Sequence, residues 1–238
     1  MARTAVSLTA MMKTDTVAAA APTLLTSLAQ RGWAQYAAHY TDAETVLDVV
    51  RRLGALLGKG TGGRAGALEE VIRPQSLEDA HPRSLSARYG LNELPFHVEL
   101  SHRSRPCRYL LLGCIEPGSC RAVTKLLEWR ELGFSTEELH LLENAPILVR
   151  SGRRSFYSTL LPPDRAFLRF DPGCIDAIDE RGRSALRLLE HRVELGSPEL
   201  HEWRRGDILI IDNWRKLHGR GPSHYGSGRR LARILIDA

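Results

Sequence analysis

The sequence predicts a mixed α+β fold whose core is a β-sandwich or barrel. From residue 95 onward, short apolar runs follow one another between Pro and Gly residues, a pattern typical of packed antiparallel sheets. Two late runs, 207–212 and 231–236, are rich in Ile and Leu and are typical of buried strands. Segments with apolar residues at helical spacing stand before and between these runs, so helices are expected to flank the sheets.

The N-terminal part of the chain is predicted to be helical. Residues 23–57 carry apolar residues at helical spacing, Thr41–Asp42 fits an N-cap within them, and Gly58 ends the pattern. We expect residues 1–22 to form a flexible tail rather than a signal peptide, because no clear apolar core follows a basic start. Residues 23–238 then form a single domain.

The remaining elements are predicted in chain order. Besides the segment around 95–101, the predicted strands are 68–72, 109–115, 145–149, 156–161, 166–170, 207–212 and 231–236. Two predicted helices interrupt them, one over 123–142 with a break near Gly133 and one over 181–193. The glycine-rich segment 58–66 lacks the Gly-Lys-Ser/Thr ending of a phosphate-binding loop, so we expect a surface loop.

Composition and charge exclude several classes of protein. The formal charge is +5, and the arginines that cluster late in the chain are typical of a solvated face, so no nucleic-acid partner is expected. No run of about 18 apolar residues occurs, which excludes a transmembrane helix, and no membrane partner is expected. The 4 cysteines form no Cys-x-x-Cys pair, which argues against structural zinc and a disulfide framework and favours a cytoplasmic protein. Nothing in the sequence indicates an oligomeric state.

A candidate metal site begins at His97 and Glu99. The two residues stand two apart in a segment predicted to be a strand, so their side chains point to one face and can bind one ion. His218 follows the buried strand 207–212 and an Asp212–Asn213 end, in a predicted loop. It would complete a set of two histidines and one carboxylate, which leaves three metal positions open, as a non-haem Fe(II) oxygenase needs.

Two other histidines compete for these roles. His102 lies five residues from His97, so on a continuing strand it would point to the opposite face, and we favour a loop or substrate-side role. His224 is an alternative to His218, but it lacks the strand-Asp-Asn segment before it. Trp203 and Trp214 are expected to be packing aromatics.

The last predicted strand carries two arginines on one face. Arg229 and Arg233 are four residues apart, and burying them near a metal is costly unless they have partners. A ligand with carboxylates supplies a partner, because a guanidinium group binds a carboxylate through two parallel hydrogen bonds.

With these residues in place, the sequence resembles the Fe(II)/2-oxoglutarate-dependent oxygenases of the taurine dioxygenase and clavaminate synthase superfamily. The segments that carry the resemblance are Phe96–Glu99, Gly206–Asn213, His218–Arg220 and the pair Arg229 and Arg233. The resemblance implies a double-stranded β-helix (jelly roll) with flanking helices, and so an α+β fold.

The resemblance also implies a role for each site residue. It implies Fe(II) held by His97, Glu99 and His218 as the catalytic and metal residues, and O2 and 2-oxoglutarate as co-substrates. Arg229, Thr124 and Arg233 would bind the 2-oxoglutarate. Which arginine is the main anchor is left open, because Arg229 falls 11 residues after His218 and Arg233 falls 15 after it. Thr124 lies 27 residues after His97, as in the family, although the Gly-Gly-Asp-Thr that often precedes this threonine is absent here.

The activity that follows is oxidation, foremost hydroxylation, of an unactivated C–H bond with release of succinate and CO2. The carboxylate ligand is Glu rather than Asp, which resembles clavaminate synthase and enzymes that hydroxylate free amino acids. The expected partner is therefore a small amino-acid-like or specialised-metabolite substrate, with Arg103, Arg105 and Arg233 as candidate contacts. Desaturation, cyclisation, epoxidation and a non-catalytic metal-binding jelly roll remain alternatives. A nucleic-acid demethylase is disfavoured, because that group usually separates its two arginines by five residues.

Overall fold

The computed structural model describes residues 3–38, 43–63, 66–82 and 84–237, and side chains only outside 3–15 and 43–44. The helices are α1 (Arg3–Arg31), α2 (Ala43–Ala55), α3 (Ser86–Tyr89), α4 (Thr136–Asn144) and α5 (Glu180–Leu195). The strands are β1 (Trp33–Ala37), β2 (Lys59–Thr61), β3 (Glu69–Ile72), β4 (Leu94–His97), β5 (Tyr109–Glu116), β6 (Thr124–Glu128), β7 (Ile147–Val149), β8 (Phe156–Ser158), β9 (Ile175–Ala177), β10 (Glu199–His201), β11 (Asp207–Asp212), β12 (Lys216–Arg220) and β13 (Arg230–Asp237). Among the described residues, no helix combines the length and apolar character needed to cross a bilayer.

Two antiparallel sheets form the jelly roll that the resemblance implies, and a small third sheet stands beside them. The major sheet has the order β1-β11-β5-β13-β2, with β3 also paired to β13. The minor sheet has the order β10-β6-β12-β4, and the third sheet the order β8-β7-β9. The predicted α+β class with a double-stranded β-helix core and flanking helices is confirmed.

Three apolar clusters hold these layers together. Helices α1 and α2 cover one face of the major sheet, where Val46 and Val50 pack against β5. This close approach needs glycine at position 113, because a Cβ atom there would lie 2.5 Å from Val50 Cγ2. The opposite face of the major sheet buries leucines such as Leu110 and Leu112, and a third cluster joins α4 and α5 to the third sheet.

The sequence predicts several of these elements correctly and misplaces others. The predicted runs 109–115, 207–212 and 231–236 match β5, β11 and β13 closely, and 181–193 matches α5, which Asp179 caps through the Gly182 N–H. Ser135 and Glu138 form a capping box at α4, which accounts for the C-terminal part of the helix predicted over 123–142.

Two helix predictions are wrong in part. Within 23–57, α1 ends at Arg31 because Gly32 has a φ of 72°, and the chain then forms β1 against β11. Within 123–142, residues 124–128 form β6, since pairing with β10 and β12 on both sides outweighs the apolar spacing. The expected surface loop 58–66 begins with the edge strand β2, and residues 166–170 form no strand. The expected N-cap at Thr41–Asp42 lies outside the described residues.

The division into residues 1–22 and 23–238 stays a prediction. Helix α1 begins inside the shorter segment, and Val17 within that segment is buried in the core beside Leu24 and Leu28.

Candidate metal centre

The structure brings His97, Glu99 and His218, here called the triad, to one place. Their ligand atoms all lie within 4.8 Å of one another. His97 is the last residue of β4, and Glu99 stands in the turn that follows it rather than on a continuing strand. His218 lies on β12, not in the expected loop, directly opposite His97 across the β4–β12 pairing. The two imidazole rings are 4.3 Å apart, centroid to centroid.

Hydrogen bonding orients the His97 ring for metal binding. Its Nδ1 lies 3.0 Å from the backbone oxygen of Pro95, and a carbonyl has no proton to give, so Nδ1–H donates. The other ring nitrogen, Nε2, is then the one left to bind a metal. In His218, Nδ1 is buried and has no hydrogen-bond partner among the described residues.

Electrostatics hold Glu99 and His218 in the protonation states that a metal requires. Burial would raise the pKa of Glu99, but Arg233, His97 and His218, together with the Leu100 N–H, lower it to about 2. Burial first and the neighbouring His97 second lower the pKa of His218 to about 3, against the opposing effect of Glu99. The carboxylate is therefore ionised and the His218 imidazole neutral at pH 7, the forms that bind metal.

The donor set fits a divalent transition metal. Two imidazoles and one carboxylate are the two-histidine, one-carboxylate arrangement that leaves coordination positions open. The assignment of His97, Glu99 and His218 as ligands stays a prediction. The geometry of the three residues supports it.

A cavity of about 240 Å³ separates the triad from Arg229. Arg229 is 5% exposed, and no described residue forms a hydrogen bond or ion pair with its side chain. Burial lowers the pKa of this guanidinium group, which lies 6.0 Å from the Trp203 ring. Thr124 lines the same cavity from β6 and accepts a hydrogen bond from Trp203 Nε1 at 3.0 Å, so Trp203 is more than a packing residue.

Arg233 differs from Arg229 because it already has two partners. Its Nη1 donates to Glu99 Oε2 at 3.0 Å, and its Nη2 binds Glu70 on β3. Burial lowers the pKa of Arg233, but the two carboxylates outweigh that effect and raise it. Arg233 thus neutralises two carboxylates, whereas Arg229 is left as a buried cation facing the cavity.

Two of the substrate candidates lie elsewhere. Arg103 donates to Thr61 Oγ1 at 2.9 Å and also binds the Gly62 carbonyl. The Arg105 guanidinium lies 4.2 Å from the Trp214 ring centroid. Neither arginine lines the cavity beside the triad. His224, the alternative to His218, is exposed and lies 3.2 Å from Ser119 Oγ.

Sequence reasoning missed a second cavity of about 500 Å³, which shares His97, Glu99 and Arg233 with the first and is lined by both polar and apolar side chains. Its polar side chains come largely from residues 70–86, which carry no motif, and only His102 and Arg233 were expected on the substrate side. Besides His97 and Glu99, the polar residues that line it are Glu70, Arg73, Gln75, His81, Ser84, Ser86, His102, Asp171 and Arg233. Asn213 was noticed only as the end of a strand, yet it hydrogen-bonds the Glu99 backbone.

Comparisons with known proteins agree with this fold. The model of the taurine catabolism dioxygenase TauD, TfdA family matches residues 134–235. This match, over less than half of the chain, supports the resemblance to the taurine dioxygenase and clavaminate synthase superfamily.

Solved structures share the fold. Asparagine oxygenase in complex with Fe(II), (2S,3S)-3-hydroxyasparagine and succinate superposes with a TM-score of 0.72 at 18% identity, over 95% of this chain and 79% of that one. The non-haem iron oxygenase OrfP in complex with Fe and α-ketoglutaric acid gives a TM-score of 0.73 at 22% identity, over 89% of this chain and 76% of that one.

One curated relative matches a short segment. The 3-((Z)-2-isocyanoethenyl)-1H-indole synthase of Fischerella ambigua (strain UTEX 1903) is 53% identical over 36 residues. That match spans 15% of this chain and 13% of the relative.

Proposed function

We propose that this protein is an Fe(II)- and 2-oxoglutarate-dependent dioxygenase that hydroxylates an unactivated C–H bond of a small amino-acid-like or specialised-metabolite substrate. The observation that carries the proposal is the triad beside a cavity that contains a buried, unpaired arginine. A metal ion accounts for the converging donors, and a dicarboxylate accounts for Arg229.

The triad would hold the metal. His97 offers Nε2 because Pro95 fixes its Nδ1–H, and Glu99 offers one carboxylate oxygen while Arg233 binds Oε2. Arg233 is therefore proposed to orient the metal-binding carboxylate and to offset its charge.

Arg229 is the better candidate to anchor 2-oxoglutarate. It is buried, charged and unpaired, whereas binding a ligand through Arg233 would compete with Glu70 and Glu99. Two parallel N–H···O bonds from Arg229 to the distal carboxylate would offset the desolvation of both groups. Thr124 has a hydroxyl in the same cavity and is proposed to assist.

The chemistry supplied by bound Fe(II) and 2-oxoglutarate is oxidative decarboxylation with O2, which yields succinate, CO2 and the capacity to oxidise a C–H bond. The protein positions the reactants and excludes water. Leu110, Leu112 and Leu231 supply apolar walls around the co-substrate.

The substrate is proposed to occupy the cavity of about 500 Å³ next to His97 and Glu99. Glu70, Gln75 and Ser84 offer hydrogen-bonding groups of the kind that a small polar molecule needs. The neighbouring structures contain hydroxyasparagine and hydroxyarginine, which supports an amino-acid-like substrate.

Anaerobic titration tests this proposal. Fe(II) and 2-oxoglutarate should give the wild-type protein a weak visible charge-transfer band that is absent from His97→Ala and reduced in Arg229→Ala. Succinate should form when O2 and a suitable amino-acid substrate are added. A wild-type protein that shows no band, and forms no succinate with any of the free proteinogenic amino acids, would contradict the proposal.

A different outcome at the same site is the second candidate. The Fischerella relative is a synthase of an ethenyl compound, and this favours desaturation as an alternative to hydroxylation here. Mass analysis separates the two, because hydroxylation adds one oxygen atom to the substrate and desaturation removes two hydrogen atoms.

A further inference from the structure

We propose that Asn213 is a positioning residue that aims the Glu99 carboxylate at the metal. The inference rests on the metal centre proposed above. Asn213 is fully buried, and its side chain contacts the backbone of Glu99 and Cys107 without contributing a metal ligand.

The contacts use the whole amide group of Asn213. Its Oδ1 accepts a hydrogen bond from the Glu99 N–H at 2.8 Å. Its Nδ2 donates to the Glu99 carbonyl at 3.0 Å and to the Cys107 carbonyl at 2.9 Å. Because β4 ends at His97, Glu99 has left the ladder, and the amide takes the place of a neighbouring strand for this one residue.

The turn that carries Glu99 needs such support. Leu100, the next residue, has a φ of 59°, a left-handed conformation that non-glycine residues rarely adopt. This conformation accompanies a hydrogen bond from the Leu100 N–H to the Glu99 carboxylate. Without Asn213, the turn can relax the Leu100 backbone, and the carboxylate would lose its direction.

The position of Asn213 is itself fixed. It follows directly on β11, a fully buried strand, and its own N–H donates to the Arg108 carbonyl at 2.9 Å. The core of the major sheet is therefore connected to the metal-binding turn through one side chain. Asp could accept from the Glu99 N–H but could not donate to the two carbonyls, so asparagine is required.

Co(II) binding without 2-oxoglutarate tests the inference, because it does not depend on turnover. We expect Asn213→Ala to weaken Co(II) affinity by about 10- to 100-fold and to change the Co(II) absorption spectrum. Asn213→Asp should also bind Co(II) more weakly, and it replaces Asn213→Ala in the comparison if the alanine variant does not fold.

A matched control separates positioning from general stability. Asp179→Ala removes the N-cap hydrogen bond of α5 to the Gly182 N–H, so it should lower the melting temperature but leave Co(II) affinity and spectrum unchanged. Wild-type Co(II) affinity in a folded Asn213 variant would overturn the inference and leave the metal centre standing. Failure of the wild-type protein to bind Co(II) would instead contradict the metal centre.

Discussion

Arg229 is the residue whose surroundings are hardest to explain without a ligand. A buried guanidinium group normally has a carboxylate partner, because desolvating an unpaired charge is costly. Arg233, four residues away, has two such partners, Glu70 and Glu99. The lack of a partner at Arg229 therefore contrasts with a neighbouring arginine on the same strand region. At Arg229, we infer that the missing partner arrives with the co-substrate.

This inference predicts opposite effects of one substitution on stability and on binding. Arg229→Met should stabilise the co-substrate-free protein by about 1 kcal/mol, or raise its melting temperature by about 3 °C, because it removes an unpaired buried charge. The same variant should lose the stabilisation that Mn(II) and 2-oxoglutarate give the wild type. Thermal melting with and without both ligands measures the two effects.

Arg230→Met is the matched control, because Arg230 is the next residue and only half-buried. Arg230→Met should change neither the melting temperature of the ligand-free protein nor its stabilisation by Mn(II) and 2-oxoglutarate appreciably. An Arg229→Met protein that melts below the wild type, or that 2-oxoglutarate still stabilises, would contradict the prediction.

At the scale of elements, the packing of α2 on β5 depends on Gly113. Val46 and Val50 of the helix approach the strand so closely that an added Cβ would lie 2.8 Å and 2.5 Å from their methyl groups. Contacts this short require the helix to move. The major sheet, which carries Arg233 and the Asn213 connection, therefore depends on this contact.

Gly113→Ala should destabilise the protein by roughly 1–3 kcal/mol through this overpacking. Adding Val50→Ala should recover part of the loss, so that the double variant is more stable than the sum of the two single effects predicts. Urea unfolding of the four proteins in the cycle measures the coupling.

Gly60→Ala provides the comparison, since the nearest atom to its added Cβ is 4.0 Å away. Gly60→Ala should lower the free energy of unfolding little. If Gly113→Ala is as well tolerated as Gly60→Ala, the close packing of α2 is not required.

At the scale of the whole molecule, the boundary of the domain is open to a direct test. Residues 1–22 are expected to be a flexible tail, yet Val17 is 3% exposed and belongs to the cluster under α1 and α2. The side chain of Val17 should therefore contribute to stability as a core residue does.

Removing residues 1–15 should leave the free energy of unfolding nearly unchanged, whereas removing residues 1–22 should lower it by about 1.5 kcal/mol or more. Chemical denaturation of the two truncated proteins and the whole chain makes the comparison. Equal stability of both truncated proteins would support the boundary at residue 22 expected from the sequence.

The sequence predicts the local parts of this molecule better than the parts that depend on distant pairing. His97 and Glu99 stand two residues apart in the chain, and His218 follows a recognisable strand, so spacing and motif identify all three as candidate ligands. Glu70 and Gln75 have no such signal, because only the pairing of β3 with β13 brings them to the site. Residues 124–128 were misplaced for the same reason, since a strand between two neighbours is stabilised by residues far away in the chain.

The pairing of β4 with β12 has a consequence for how the site is assembled. His97 and His218 stand opposite each other on neighbouring strands, with an irregularity in the register between His218 and Arg220. A slip of β4 by one residue would turn the His97 side chain to the other face of the sheet. If the triad binds a metal as proposed, all three residues can reach it in one strand alignment only, and metal affinity would then report on whether the minor sheet has folded in register.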